Sequence, residues 1–225
     1  MSFTYATLKT QVVARLHDDS TELSDYLDTA IDLAELRLSR DLAQVTAFDV
    51  TATGAFTAAS PYVTKPTGWV VPRFFRYRTT ATGKWQRLDR KSLEYCQEFW
   101  PNENLTATGP RYYADYDATR LYVVGIPTGT YGWQHGYKRR LPALTATNTT
   151  NWLSEDGADA LFNAVCLECA AFKEDPARIP EFTALYGVSV QAIINEHSRT
   201  LRDDYRPAEN VVDVENIGVV ARGGQ

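Results

Sequence analysis

The sequence predicts an α+β protein: a four-helix bundle, formed by the N- and C-terminal helices, that carries an inserted antiparallel β sandwich or barrel-like domain. Apolar residues recur every three or four positions in residues 1–44 and 141–206, as they do on one face of a helix. In residues 45–140 the period is two, and β-branched and aromatic residues are frequent. Net charge changes at the same boundaries, from −4 to +6 and then to −7 in residues 141–225. Residues 207–225 lack a helical period and predict an extended C-terminal arm.

Two helices are predicted before the β segment. Thr4 is predicted to be the N-cap of a first helix that ends near Asp18, and the second helix runs from about Glu22 to Leu42. Each has one apolar stripe: Tyr5, Leu8, Val12 and Leu16, then Leu23, Leu27, Ala30, Ile31, Ala34 and Leu38. The short turn between them predicts antiparallel neighbours.

A helix-turn-helix reader of DNA is the alternative interpretation of this pair. The second helix should expose four acidic residues, Asp25, Asp28, Asp32 and Glu35. Because these carboxylates would repel phosphate, the DNA-binding interpretation is disfavoured.

Six strands and one short helix are predicted in the β segment. The helix spans Lys91 to Trp100 and ends at Pro101. The strands are Val45–Thr53, Arg73–Thr80, Trp85–Leu88, Arg111–Tyr116, Arg120–Val124 and Tyr131–Arg139.

A buried central helix is predicted between Asn148 and Asp175. Ser154 could cap it, and three carboxylates would lie near the positive end of its dipole: Glu155, Asp156 and Asp159. Its apolar stripe is Ala158, Leu161, Phe162, Val165, Cys169 and Phe172. Trp152 and Leu153 could staple the incoming chain to the first turn.

A last long helix should begin at Pro180 and continue to about Tyr205, with Phe182, Leu185, Tyr186, Ser189, Ile193, His197 and Leu201 as its stripe. In the arm that follows, Val212 and Val214, continued by Ile217 and Val219, have the alternation of a strand. We expect these four residues to dock on a neighbouring subunit or another partner by strand addition.

The residue patterns do not favour catalysis, a cofactor or a metal. Cys166 and Cys169 form a C-x-x-C inside a predicted helix, without a second ligand pair, which favours buried cysteines over zinc or redox use. His17, His135 and His197 fall in separate elements, and no glycine-rich phosphate loop occurs. The sequence has no apolar run of eighteen residues and no secretory signal pattern, so we expect no membrane span and synthesis in the cytoplasm.

The β segment is basic and aromatic, which leaves nucleic-acid or glycan binding open. Cations are supplied by Arg73, Arg76, Arg78, Arg87, Arg90, Lys138, Arg139 and Arg140, and flat rings by Tyr112, Tyr113 and Trp133. A half-exposed strand has the same alternation, and a solvated face or a subunit contact is therefore favoured over nucleic-acid binding.

Three stretches resemble the head-to-tail adaptor (connector) proteins of tailed bacteriophages, similar in plan to the tail tubular protein of short-tailed phages. They are TYATLKTQVVARLHDD with LSDYLDTAIDLAELRLSRDL, then RLYVVGIPTGTYGWQHGYKRRLPALTATNTTNWL, then DALFNAVCLECAAFKEDP. The family-like motif residues are Asn151, Trp152, Leu153, Leu161 and Phe162. Relatives often have Pro at the place of Gly157 and Tyr at the place of Phe162, differences that affect capping and packing more than the fold.

The resemblance implies a non-enzymatic structural protein of the virion, assembled in the host cytoplasm. It would form a ring, expected to be twelvefold, between the portal protein and a downstream tail or nozzle protein, with tail fibres as further candidate partners and DNA passing through the lumen. Two alternatives from other classes are a tail-associated carbohydrate-binding or hydrolytic module built on the β segment and a DNA-binding regulator.

Overall fold

A computed structural model describes residues 2–57, 60–102, 106–107, 109–127 and 131–204. This part of the chain contains six α-helices and nine β-strands, which confirms the mixed α+β class. The helices are α1 Tyr5–Leu16, α2 Thr21–Asp41, α3 Leu93–Phe99, α4 Trp152–Glu155, α5 Ala158–Phe172 and α6 Arg178–Asp204. The strands are β1 Asp49–Ala55, β2 Tyr62–Thr64, β3 Trp69–Arg78, β4 Gln86–Arg90, β5 Thr106–Ala107, β6 Tyr112–Asp115, β7 Arg120–Val124, β8 Ile126–Pro127 and β9 Gly132–Arg139.

The terminal helices share one hydrophobic core, with α5 in contact with α1, α2 and α6. The predicted stripes of α1 and α2 are buried, apart from Tyr5, which is half-buried. On α5, Leu161 and Val165 are fully buried, whereas Phe172 is 37% exposed and stacks on Tyr26 of α2, with ring centroids 3.9 Å apart. The N- and C-terminal helices therefore pack together as expected, and a regular four-helix bundle stays a prediction.

Helices α1 and α2 form the expected hairpin. Thr4 caps α1, and its hydroxyl accepts a hydrogen bond from the Thr7 N–H. Near the start of α1, Tyr5 and Lys9 both contact Asp28, which lies in the second turn of α2. A short turn with these contacts brings the two helices back alongside each other.

The predicted cap of the central helix is wrong. The chain forms a single turn, α4, and α5 begins only after Gly157, so the helical segment is interrupted there. Asn151 is the N-cap of α4, and the Ser154 hydroxyl makes the reciprocal bond of a capping box. Two polar residues stand at capping spacing in this sequence, so the local pattern alone allows either of them to be the cap.

The β segment forms one seven-stranded sheet in the order β1-β9-β3-β4-β6-β7-β2, and a separate pair, β5 and β8. The prediction of an antiparallel domain is wrong for two pairs of strands, β5 with β8 and β4 with β6, which are parallel. The chain crosses from β4 to β6 through α3, and only such a crossover, not a hairpin, allows parallel neighbours. The strand Tyr62–Thr64 was not predicted. The closure of this sheet into a sandwich or barrel stays a prediction.

Helix α6 begins at Arg178, so Pro180 occupies its third position instead of its first. This position is still within the first turn, where a missing N–H breaks no helical hydrogen bond. Phe182, Tyr186 and Ile193 are buried, as predicted, while Leu185 is 39% exposed. In the part of the chain that the structure describes, no helix is both long and apolar enough to span a membrane. The arm of residues 207–225 lies outside the described residues.

Candidate functional site: a helix-cap joint and a cationic ladder

The family-like motif begins at a joint between the β segment and the helices. The side-chain amide of Asn151 donates to the Glu35 Oε1 atom at 2.6 Å and to the Pro142 carbonyl at 3.0 Å. The other Glu35 oxygen accepts from the Leu144 N–H at 3.2 Å. One carboxylate of α2 therefore holds the segment that leads from β9 into α4.

Glu35 is a residue of this joint that the sequence interpretation places wrongly. It was predicted to be exposed on α2, but it is half-buried and carries these two hydrogen bonds. Burial raises the pKa of its carboxyl group, and the hydrogen bonds from Asn151 and Leu144 act in the opposite direction. The signal for its inward orientation in the sequence is the set of neighbouring apolar positions Ile31, Ala34 and Leu38, of which Ile31 and Leu38 lie one helical turn away.

The other motif residues pack around this joint. Leu153 and Leu161 are fully buried, and the Trp152 ring meets Phe48 edge-on at a centroid distance of 5.8 Å. Phe162 is half-buried and stacks on Phe3 at 5.7 Å. The motif thus fixes the path of the chain and the packing of its helices.

Phe3 and Phe162 form the apolar floor of an open cavity of about 480 Å³. Three exposed carboxylates line its edge, those of Glu155, Asp156 and Asp159. Within the described residues, none of the three has a basic partner at ion-pair distance. We call this surface the acidic cavity.

A second surface lies on the outer face of the sheet. Along β3 the side chains of Phe75 and Tyr77 are buried, and those of Phe74, Arg76 and Arg78 lie on the opposite face. The Arg76 guanidinium lies 5.3 Å from the Phe74 ring centroid and 5.0 Å from that of Trp85, and Arg78 lies 4.7 Å from Trp85. We call these four residues (Phe74, Arg76, Trp85 and Arg78) the cationic ladder.

Strand β9 holds the ladder in place. Gln134 accepts a hydrogen bond from Arg76 Nε at 2.7 Å. Gly136 lies under the Phe74 ring, and a β-carbon there would approach the ring to 2.2 Å. Only glycine allows this close approach, so the sequence of β9 is matched to the ladder on β3.

Behind the ladder lies a buried histidine. His135 Nε2 accepts from the Trp69 indole N–H at 2.9 Å, and its Nδ1–H donates to the Phe74 carbonyl at 3.1 Å, since the carbonyl can only accept. Burial lowers the pKa of His135 to about 4. The ring is therefore neutral at pH 7 and belongs to the sheet core.

The two cysteines of the C-x-x-C are buried in α5. Burial raises the pKa of both Cys166 and Cys169 to about 12, which removes the thiolate that metal binding or redox chemistry needs. Among the described residues, no group of three or more His, Cys, Asp and Glu side chains is placed to hold a metal ion. The four arm residues Val212, Val214, Ile217 and Val219 lie outside the described residues.

Comparison with known proteins gives one match that covers almost the whole chain. The model of the family described as "SU10 adaptor protein" matches residues 3–212. No curated protein matches the sequence. The match includes α1 to α6 and every strand of the sheet, and it agrees with the phage head-to-tail adaptor resemblance. It supports a structural role, since phage adaptors are structural proteins of the virion's head-tail region. The chain belongs to the SU10 adaptor protein family.

Proposed function

We propose that this protein is a head-to-tail adaptor that assembles into a ring, expected to contain twelve copies, between the portal protein and the downstream tail or nozzle protein. The family match over residues 3–212 carries the proposal, since an adaptor must bind partners on both the head and the tail side. Tail fibres are further candidate partners. Assembly would take place in the host cytoplasm before the ring becomes part of the virion.

The lumen of the ring would pass DNA without binding its sequence. The chain has a formal net charge of −5, and the segments on either side of the β segment, residues 1–44 and 141–225, carry −4 and −7. Acidic surfaces repel a polyanion, and a DNA conduit benefits from a wall that does not bind the DNA tightly. This charge distribution supports a passage more than it supports a DNA-binding regulator.

We expect no catalysis. Glu35 holds the joint, His135 belongs to the sheet core, and the thiols of Cys166 and Cys169 are buried in α5. A purified sample that hydrolyses nucleotide, glycan or peptide, and loses that activity when one candidate residue is changed, would contradict this expectation.

Size-exclusion chromatography with light scattering, on the protein alone and with its portal, tests the ring. The expected species has twelve times the subunit mass of 25.3 kDa, added to the mass of the portal. Negative-stain images should show a ring on the axis of the portal. A subunit that stays monomeric and does not bind the portal at any concentration would refute the proposal.

A further inference from the structure

We propose that the cationic ladder is the surface on which a second copy of this chain docks, and that the acidic cavity of that copy is its counterpart. This inference rests on the proposed ring and names the contact that would close it. The first argument concerns charge that is not neutralised within the subunit.

At one end of the outer sheet face, the charges are paired. Asp49 on β1 forms ion pairs with Arg73 and Lys138, the second at 2.8 Å. At the other end, Arg76 and Arg78 have no carboxylate at ion-pair distance among the described residues. The same strand thus has a neutralised end and a cationic end.

A like-charge pair adds to the cationic end. Arg76 lies directly opposite Arg87 in the register of β3 and β4. Like charges in directly opposite positions destabilise a sheet. Arg87 forms an ion pair with Asp89 at 3.6 Å, but both side chains are largely exposed, so solvent weakens the neutralisation of Arg87. An arrangement that is unfavourable in the free subunit becomes favourable when an acidic surface covers it.

The guanidinium groups are also held in position before any partner binds. Arg76 is fixed by Gln134, Phe74 and Trp85, and Arg78 by the Trp85 ring. Binding then costs less side-chain entropy than ordering a free arginine would cost. Planar guanidinium groups that flank an aromatic ring are suited to carboxylates next to flat apolar surface.

The acidic cavity offers that chemistry on a different part of the same chain. Glu155, Asp156 and Asp159 have no basic partner in the described residues, and they surround an apolar floor of Phe3 and Phe162. The two surfaces are different and complementary in charge, as a head-to-tail contact between identical subunits requires, and such contacts form closed rings when the rotation permits. Residues 45–140 carry a net charge of +6 and residues 141–225 carry −7, so a second copy of the chain brings an acidic counterpart to the basic segment.

Charge reversal of each surface tests the contact. Variant one carries Arg76→Glu and Arg78→Glu, and variant two carries Asp156→Lys and Asp159→Lys. Each variant alone places like charges across every contact, so assembly on the portal should fall at least tenfold. An equimolar mixture should assemble again, because the negative ladder of variant one faces the positive cavity of variant two, and the reverse contact keeps native signs.

The matched control carries Arg140→Glu and Arg199→Glu, which change net charge as much as variant one but lie outside both surfaces. It should assemble like the wild type. Circular dichroism and thermal melting of each variant establish that it folds. If a variant fails to fold, the single changes Arg78→Gln and Asp159→Asn replace the pairs, and each should weaken assembly several-fold in low salt and less in high salt.

Two results would overturn the inference while leaving the ring intact: variants that assemble as well as the wild type, or a mixture that does not recover. A third would reassign the ladder to nucleic acid: variant one assembling normally but losing affinity for DNA. A wild type that does not assemble with the portal instead refutes the proposed function itself.

Discussion

Replacing His135 should remove most of the loss of stability that this protein undergoes between pH 6.5 and pH 4. In the folded state both ring nitrogens are used, one accepting from Trp69 and the other donating to Phe74. Protonation of Nε2 would break the Trp69 hydrogen bond and place a cation in a core position that is 1% exposed. The acid form of the ring is therefore much less stable in the folded protein than in water.

The magnitude follows from the pKa. Burial lowers the pKa of His135 from 6.5 to about 4, the Phe74 carbonyl and Asp115 oppose that change, and Lys65 reinforces it. Between these pH values the unfolded chain binds a proton that the folded protein does not bind, so the free energy of unfolding falls as the pH falls. The difference between the two pKa values corresponds to a loss of about 3 kcal/mol in the free energy of unfolding by pH 4, with little loss above pH 7.

Urea denaturation at pH 7, 6, 5 and 4 measures this loss for the wild type, His135→Gln and His17→Asn. The His17 control sits at the end of α1 with φ 52°, a conformation that asparagine tolerates. His135→Gln should be less stable than the wild type at pH 7, but its free energy of unfolding should change less with pH. Other groups cancel in the difference: the raised pKa of Glu35 gives the opposite slope, and Asp18 and Asp117, with pKa values lowered to about 2, lose their contributions below pH 4.

If wild type and His135→Gln lose stability in parallel between pH 6.5 and pH 4, the buried neutral ring is not the cause and the reasoning fails. A pH dependence that follows His17→Asn instead would place the titrating group in the helical part.

Three further predictions concern the core, the joint and the arm. Leu161→Ala should lower the free energy of unfolding by about 2–5 kcal/mol, because it leaves a cavity in the helical core, whereas Cys169→Ser should cost less. EDTA should leave the melting temperature of the wild type unchanged. If EDTA lowered it as much as Leu161→Ala does, a metal site would have to be reconsidered. Asn151→Ala should lower the free energy of unfolding by about 2–3 kcal/mol, because it removes a helix cap and leaves the Glu35 carboxylate without one of its donors. In chemical denaturation, the double variant with Glu35→Gln should lose less stability than the sum of the two single variants. Strictly additive losses would contradict the joint. Deleting residues 208–225 should leave the melting temperature nearly unchanged and weaken attachment to the portal or ring. A truncated protein that assembles as well as the intact one would show that the arm does not take part in docking.

Local patterns determined the helical elements well. The apolar spacing of α1 and α2 and the capping position of Thr4 depend on neighbours within one or two turns, and such information is present in any short window of sequence. The short helix before Pro101 and strand β7, Arg120–Val124, were predictable for the same reason. The family-like motif residues Leu153 and Leu161 were expected to be apolar anchors, and both are buried.

Long-range pairing was not predictable in this way. The parallel pairing of β4 with β6 depends on where the chain between them crosses, and the three-residue strand Tyr62–Thr64 exists because β7 provides its hydrogen-bonding edge. A strand this short has almost no periodicity of its own. The choice of Asn151 over Ser154 as the cap likewise depends on Glu35, which is distant in sequence but hydrogen-bonded to Asn151.

Amphipathic period and residue charge are local properties, so an α+β chain with acidic helices on either side of a basic β segment can be inferred from the sequence. The inward orientation of Glu35 at the joint cannot be inferred in this way, and neither can the position of Arg76 and Arg78 beside Trp85 and opposite Arg87. The position of the arginines depends on strand register, and the orientation of Glu35 depends on the segment that packs over its carboxylate. They arise from contacts between residues that lie far apart along the chain or on neighbouring strands, where burial and electrostatics are set by the assembled fold and not by the spacing of residue types.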